Sequence, residues 1–442
     1  MGIKTVKFGG SSLADAEHFK KVADIIKSDP ERRYVVPSAP GKRNKNDTKV
    51  TDMLYETYRL ARSGMGAGAV EAAYQRICDR YNDIIRGLGL NFDISGELEY
   101  IKQAMLLRRV GHDFAASRGE YLNSLILAKY LGYDFIDAES VIFFRENGQV
   151  DMELTKCAMS DELAKHERAV IPGFYGQMPN GTVRTFSRGG SDITGSIVAL
   201  FSGSDLYENW TDVSGVLMAD PRIVDDPLGI DLLTYRELRE LSYMGASVLH
   251  EDATFPVRNA GIPINVRNTN RPDDKGTMIV RSAPDYDRRH VITGLAGKKG
   301  FSVVTIESDM MNSEIGFGRK VLEVFEDHGM SFEHLPSGID TMSVILSTAQ
   351  IAGHEDQIKS QLERAVRTDS VTVEHGLALI AVVGRGMVKT KGTAARVFKA
   401  VSDAGVNIRM IDQGSCELNI ILGVSEEDFE NAVRAIYREF VG

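Results

Sequence analysis

The sequence predicts an α/β protein: an N-terminal αβα sandwich around a mainly parallel central sheet, followed by two small ferredoxin-like βαββαβ modules. Three observations carry this prediction. Over the first 280 residues, short apolar strand-like runs alternate with segments of helical period, which demands crossover connections and a parallel sheet. Residues 51–132 hold a long stretch of helical periodicity with almost no proline, read as a helical excursion from that sheet. Beyond residue 290 the chain repeats itself.

The elements follow in order. TVKFGG (5–10) is an apolar strand running into glycines, and ADAEHFKKVADIIKS (14–28) follows at helical spacing. YVVPSA (34–39), AVIPGF (169–174), LYENWTDVSGVLM (206–218), PINVRN (263–268) and GTMIV (276–280) supply further strands. RSAPDYDRRH (281–290) is polar and charged, a boundary texture. After it, residues 318–346 register on 394–422 without a gap: Val321 falls on Val397, Asp327 on Asp403, Gly329 on Gly405 and Gly338 on Gly414. The apolar positions Met342, Val344 and Leu346 fall on Leu418, Ile420 and Leu422. Each copy reads strand, helix, C-capping glycine, strand, turn, strand, helix. The expected domains are 1–285, 286–375 and 376–442.

At 442 residues the chain is too long for one core. A net charge of −10 gives no bulk attraction for nucleic acid or anionic membrane, so a phosphate would need a locally built site. No apolar run approaches the ~18 residues of a membrane span. The start MGIKTVKF enters a strand directly, without a signal-peptide pattern, and Val6 fails the myristoylation pattern. Cys78, Cys157 and Cys416 are scattered and odd in number, which points to small semi-buried side chains in a reducing cytoplasm rather than disulfides or zinc.

Two stretches carry the candidate chemistry. In SRGGSD (187–192), Gly189 and Gly190 allow positive φ and close backbone approach, Ser191 or Asp192 can cap a helix, and Arg188 offers a forked donor to an anion. Asp192 requires a cation to face. A glycine turn before a capped helix explains the stretch equally well on its own. KFGGSS (7–12) has the same grammar, with Lys7 placed to put a point charge over a phosphate resting on Gly9 and Gly10. Neither GxxxxGK[ST] nor GxGxxG occurs. NWTDVSGVLMADPRIVDDP (209–227) reads either as a hairpin or as a rim on which Thr211 and Asp212 meet a nucleoside and Arg222 its phosphates.

KFGGSS, KVTDML (49–54), SRGEYLNSLILAKYL (117–131), GFYG (173–176), SRGGSD, WTDVSGVLMADPR (210–222) and GASVLHEDATFPVRNAGIPINVRNT (245–269) occur in the order found in aspartate kinases. VGRGM (383–387), GTAARVF (392–398) and NIRMIDQGSCELNI (407–420) resemble their tandem ACT domains. The likeness spans nearly the whole chain. It implies an amino-acid-kinase-like sandwich followed by two ACT domains. The implied reaction passes the ATP γ-phosphoryl group, with Mg²⁺ arriving on the nucleotide, to the β-carboxylate of L-aspartate. That nucleophile is already ionised at neutral pH, its ordinary pKa being about 3.9, so no general base is needed. No histidine sits in the catalytic stretches KFGGSS and SRGGSD. By the resemblance, Lys7 and Asp192 are catalytic. Thr51, Glu120, Arg188, Gly189, Gly190 and Ser191 hold aspartate, Arg188 on its α-carboxylate and Glu120 on its ammonium. Lys7, Phe8, Gly9, Gly10, Ser38, Thr211, Asp212, Leu217, Arg222, Ser247 and Val248 contact ATP. No resident metal is implied.

Three departures stand out. Ser247 takes the place of the family's lysine in GAKVLHP and Glu251 the place of its proline; Leu217 replaces a tyrosine. PSAPGKRNKND (37–47) is longer and more basic than usual, so Lys42, Arg43 or Lys45 is a candidate substitute for the missing lysine. The ACT likeness implies effector contacts at Met310, Ser313, Gly316, Phe317, Ser337, Gly338, Ile339 and Asp340, with lysine the expected inhibitor and threonine the second candidate. It also implies a cytoplasmic homodimer formed through the ACT domains, with a tetramer as the alternative. The repeats can interleave, the C-terminal segment returning to the first. Two competing readings are another amino-acid kinase, such as an acetylglutamate or glutamate kinase, and a catalytically silent amino-acid sensor.

Overall fold

The computed structural model describes residues 2–63, 67–187, 189–246, 249, 251–283 and 291–442. The chain forms two compact units: Met1–Val216 with Gly229–Tyr235 and Ser247–Ala283, and Leu217–Leu228 with Arg236–Ala246 and Pro284–Gly442. No helix among the described residues is long and apolar enough to cross a membrane.

In the first unit, β1 (Lys4–Phe8), α1 (Ala16–Lys27) and β2 (Arg32–Pro37) open the fold. The Asp15 carboxylate accepts from the His18 N–H to cap α1, whose Phe19, Val22, Ile25 and Ile26 recur at helical spacing and are buried. The helical excursion follows as α2 (Val50–Ser63), α3 (Ala67–Gly87), α4 (Ser95–Leu106) and α5 (His112–Leu131). Next come β3 (Asp134–Phe135), α6 (Ala138–Val141), α7 (Met152–Leu163), β4 (Ala169–Val170), and a small hairpin of β5 (Tyr175–Gln177) and β6 (Val183–Thr185). The unit continues with α8 (Gly190–Phe201), β7 (Leu206–Thr211), β8 (Leu232–Thr234) and, after α9 (Tyr235–Tyr243), α10 (Glu251–Ala260), β9 (Ile264–Asn268) and β10 (Thr277–Val280).

Eight strands make one sheet in the order β3-β4-β2-β1-β7-β9-β10-β8. Every neighbouring pair is parallel except β9 with β10. The predicted strand 169–174 contributes only two residues, because Phe174 takes φ 83 and turns the chain away. β1 is buried on both faces, as a central parallel strand should be: Thr5, Val6, Lys7 and Phe8 are each 8% exposed or less. One face carries Phe8 and Trp210, their rings stacked 5.9 Å apart. Beside them buried Arg32 donates to Glu208 at 2.8 and 3.2 Å. The Trp210 indole N–H donates to the same carboxylate at 2.8 Å. The other face of β1 and β7 meets α8.

The second unit holds β11 (Gly294–Glu307), α11 (Phe317–Asp327), β12 (Thr341–Ser347), α12 (Thr348–Ile351), α13 (Glu355–Ala365), β13 (Ser370–Val383), α14 (Thr393–Asp403), β14 (Met410–Asp412), β15 (Asn419–Ser425) and α15 (Phe429–Val441). Its single sheet runs β12-β11-β13-β15-β14. The repeat is visible in backbone conformation. Gly316 and Gly392 precede α11 and α14 at φ 85 and 84, and Gly300 and Gly376 interrupt β11 and β13 at φ 93 and 78. On either side of these breaks the strands serve different repeats. Residues 301–307 pair with β12, whereas 294–298 pair with 379–383 in the second repeat. The crossing segment therefore precedes the first repeat, and β15 pairs with β13 and β14. Cys78 is half-buried, its thiol pushed up to about 11 by burial, while Cys157 and Cys416 are exposed rather than semi-buried.

Candidate active site

The loops after β1, β2, β4 and β7 converge at the carboxyl ends of neighbouring parallel strands, where open α/β sheets bind ligands. The Gly9 N–H donates to the Trp210 carbonyl at 3.0 Å, Ser38 N–H to Phe8 O at 3.0 Å, and Gly41 N–H to Gly10 O at 2.8 Å. A Cβ on Gly10 would lie 2.7 Å from Ala39 O, so the two loops press backbone to backbone. Gly9 has an ordinary φ of −69, so close approach, not positive φ, explains this pair.

SRGGSD uses its glycines differently. Gly189 adopts the left-handed region at φ 58 ahead of α8, and a Cβ on Gly190 would meet the Phe174 ring at 2.5 Å. No side chain caps this helix. Ser191 and Asp192, the expected caps, lie in its first turn instead, because Asp192 is committed elsewhere. Its Oδ1 lies 2.6 Å from Lys7 Nζ, and the two side chains are only 17% and 10% exposed. That ion pair brings together two glycine motifs about 180 residues apart in the chain. A largely buried pair of this kind aims the ammonium beside the N-terminus of α8. Arg188, Ser247 and Val248, named from the sequence, lie outside the described residues.

A second charged group closes the same region. On α5, Gly119 packs so tightly that a Cβ would sit 2.8 Å from Ala39 Cβ, which brings the next residue, Glu120, against the loop after β2. Glu120 is 5% exposed, and its Oε2 has no hydrogen-bond partner among the described residues. Burial pushes its carboxyl up to about 8, against the opposing pull of the Ala39 N–H. One turn on, Asn123 donates to Ser38 O at 2.7 Å, and its Oδ1 has no hydrogen-bond partner among the described residues. Ser191 is buried against Gly173, where a Cβ would lie 2.7 Å from its Oγ, and Thr51 is half-buried in the first turn of α2. A buried carboxylate with an oxygen left open, on the same cluster of loops as a lysine–aspartate pair, is suited to a small molecule bearing both charges.

Thr211 ends β7 half-buried, its hydroxyl donating to exposed Asp212 at 3.2 Å. Leu217 and Arg222 belong to the second unit, and Asp220 already holds Arg222 at 2.6 Å. In the basic 37–47 loop, Arg43 is engaged by Asp47 at 2.9 Å, while Lys42 and Lys45 are exposed. Buried Arg80 ties this loop down through Asp47 at 2.6 Å and through the carbonyls of Ala14 and Gly41, both at 3.2 Å. Sequence reasoning missed Arg80, Tyr207 and Asn209. A polar residue inside the otherwise buried run YENW was the available signal for the last. Among the described residues no group of three or more His, Cys, Asp or Glu side chains is placed to hold a metal ion.

In the second unit the two predicted effector segments meet. The Ser308 N–H donates to Asp340 O at 2.9 Å, Met310 N–H to Asp340 Oδ1 at 3.1 Å and Asn312 N–H to Ile339 O at 3.2 Å. Ser313 donates to Met310 O, and Gly338 N–H to Thr341 O at 2.7 Å beside the Ser337–Met342 bridge. Met310 and Ile339 are each 68% exposed. Phe317 is 4% exposed and packs in the core with Val321 and Val344.

Comparison with known proteins places the chain in a family. Residues 3–268 match the amino acid kinase family, and residues 380–440 match an ACT domain. Aspartokinase 3 of Bacillus subtilis is 41% identical, covering 99% of this chain and 98% of the relative. A crystal structure of Clostridium acetobutylicum aspartate kinase superposes with a TM-score of 0.90 at 49% identity, over the full length of both chains. Escherichia coli aspartokinase III, solved with aspartate and ADP in the R-state, superposes at 0.75 with 25% identity and full coverage of both chains. The same enzyme with lysine and aspartate in the T-state gives 0.73 at 25% identity, again covering both chains in full.

Proposed function

The chain belongs to the aspartate kinases that carry an ACT regulatory domain, and from that membership we propose that Lys7, Asp192 and Glu120 run the reaction where the loops described above converge. The Lys7–Asp192 pair is the observation that carries this reading. Transfer between two anions needs charge neutralisation and alignment more than covalent help. Lys7 supplies the charge over the moving phosphoryl group, and Asp192 fixes where that charge sits. MgATP lies along Phe8, Gly9, Gly10, Ser38, Thr211 and Asp212, the ion travelling on the phosphates, with Ser247 and Val248 as further contacts. Aspartate gives its ammonium to Glu120 and its α-carboxylate to Arg188, with Thr51, Gly189, Gly190 and Ser191 around it. The product, 4-phospho-L-aspartate, opens the lysine, threonine and methionine branch.

Lysine is the effector we favour, bound by the segments 308–316 and 337–341 of a homodimer joined through its ACT domains. The solved relative that holds lysine with aspartate supports that choice over threonine. Trapping the acyl phosphate with hydroxylamine, in the presence of MgATP and aspartate, tests the reaction. Hydroxamate should form with wild type. Lys7→Ala should lose about 10³-fold in turnover with little change in aspartate KM, because its charge matters most in the transition state. Unchanged turnover would remove Lys7 from catalysis. Adding lysine or threonine to the same assay identifies the inhibitor.

A further inference from the structure

Asp192 has two donors on one oxygen, and only one of them is Lys7. The Asn209 amide Nδ2 donates to the same Oδ1 at 2.8 Å. Asn209 is 3% exposed and sits on β7 directly across the parallel register from Lys7, so both side chains leave the sheet on the face covered by α8. Two residues earlier on that face, fully buried Tyr207 donates its hydroxyl to the Asp192 backbone carbonyl at 3.1 Å. That reach depends on Gly195 of α8: a Cβ there would stand 2.6 Å from the Tyr207 oxygen. Asp192 Oδ2 has no hydrogen bond among the described residues.

We propose that Asn209, seconded by Tyr207, is a positioning residue that sets the plane of the Asp192 carboxylate and, through it, the place of the Lys7 ammonium. The proposal rests on Asp192 and Lys7 being the catalytic pair. Tyr207 pins the main chain of the first turn of α8 and Asn209 pins its side chain, so the carboxylate cannot rotate away from Lys7. An amide suits the task. It donates without bringing a charge, so Lys7 keeps a single counter-ion, and only one of its three protons is spent on Asp192. A lysine or arginine at 209 would compete with Lys7 for the carboxylate, and an aspartate would repel it. The opposite face of β7 is independently fixed by the Arg32–Glu208 pair and the Trp210 indole, so changing Asn209 leaves the strand in register.

The test is a double-mutant cycle of Asn209→Leu with Asp192→Asn, read as kcat and both KM values by the hydroxamate assay, with melting temperature as the folding control. Asn209→Leu should lower kcat about 10- to 100-fold, since displacement near 1 Å is that costly, with both KM values within about threefold. In the Asp192→Asn background the same substitution should cost less than about twofold in kcat. Equal costs in the two backgrounds, or a loss confined to KM, overturn the role of Asn209. Full turnover in Asp192→Asn alone would instead sink the catalytic pair on which it rests. A second variant, Asn209→Asp, keeps the shape of the side chain and removes the donor. It should be at least as impaired as Asn209→Leu, and wild-type turnover from it would overturn the proposal even if the leucine variant did not fold.

Discussion

Glu120 in the first unit and Glu237 in the second are both buried carboxylates, 5% and 0% exposed, and their surroundings are opposite. Glu237, on α9, accepts from the Arg385 guanidinium at 2.8 and 3.0 Å, from the Arg385 backbone N–H at 3.1 Å and from the Thr293 hydroxyl at 2.6 Å. Glu120 has one oxygen with no hydrogen-bond partner among the described residues. Burying a charge costs several kcal/mol unless hydrogen bonds and a counter-ion offset it. Glu237 has that compensation inside the protein and is a brace. Glu120 lacks it, so its carboxyl holds a proton until something cationic arrives. A satisfied buried charge reads as structure, an unsatisfied one as a binding site.

Changing each residue sharpens the contrast. The largest effect belongs to Glu120→Gln. With Glu120 in its proposed role as partner of the aspartate ammonium, the change should lower kcat/KM for aspartate by about 10²- to 10³-fold, while the KM for MgATP stays near wild type. Steady-state kinetics check this, and unchanged aspartate kinetics would make Glu120 as structural as its counterpart. Glu237→Ala should do the reverse. It leaves the half-buried Arg385 guanidinium without its counter-ion, costing about 2–3 kcal/mol in denaturant unfolding of the second unit, less than a fully buried charge would. The Glu237→Leu/Arg385→Leu pair should recover most of that loss. Aspartate KM, measured well below the melting temperature, should not move.

The smallest effect is a pH dependence, and its sign follows from Glu120. Its folded carboxyl titrates near 8 against an ordinary 4.5, so between those values the folded protein holds a proton that the unfolded chain has released. This group's contribution to stability therefore falls as pH rises from about 4.5 to 8, and Glu120→Gln should remove the slope. The aspartate ammonium favours the ionised form. Aspartate affinity should climb as pH rises towards 8, by at most about tenfold per unit, and flatten in Glu120→Gln. Calorimetric titration at pH 6, 7 and 8 would show it. A wild-type profile as flat as the variant's would mean that Glu120 is already ionised without ligand.

The parts of this architecture legible in the sequence were those with a local pattern. KFGG, SRGGSD and the helical period of 51–132 are each written in contiguous residues, as is the doubled series that ends in Gly316 and Gly392 before α11 and α14. What the sequence concealed was long-range. Arg32 finds Glu208 across 176 residues and Arg80 finds Asp47 across 33, and no spacing announces either partner. β3 and β4, two residues each, are too short to show a period. The capping role expected of Ser191 and Asp192 failed because local propensity gave way to a tertiary ion pair. Asn209 was hidden by its neighbours, since Trp210 and Thr211 already accounted for the motif.

The strand 294–298, which precedes one repeat and completes the other, makes the two halves of the second unit inseparable. A segment lifted out for engineering at the apparent boundary near residue 375 would leave β13 with a naked flank and an invitation to aggregate. Transplanting this sensor to another enzyme therefore requires the whole stretch from 294 onward as one heritable block.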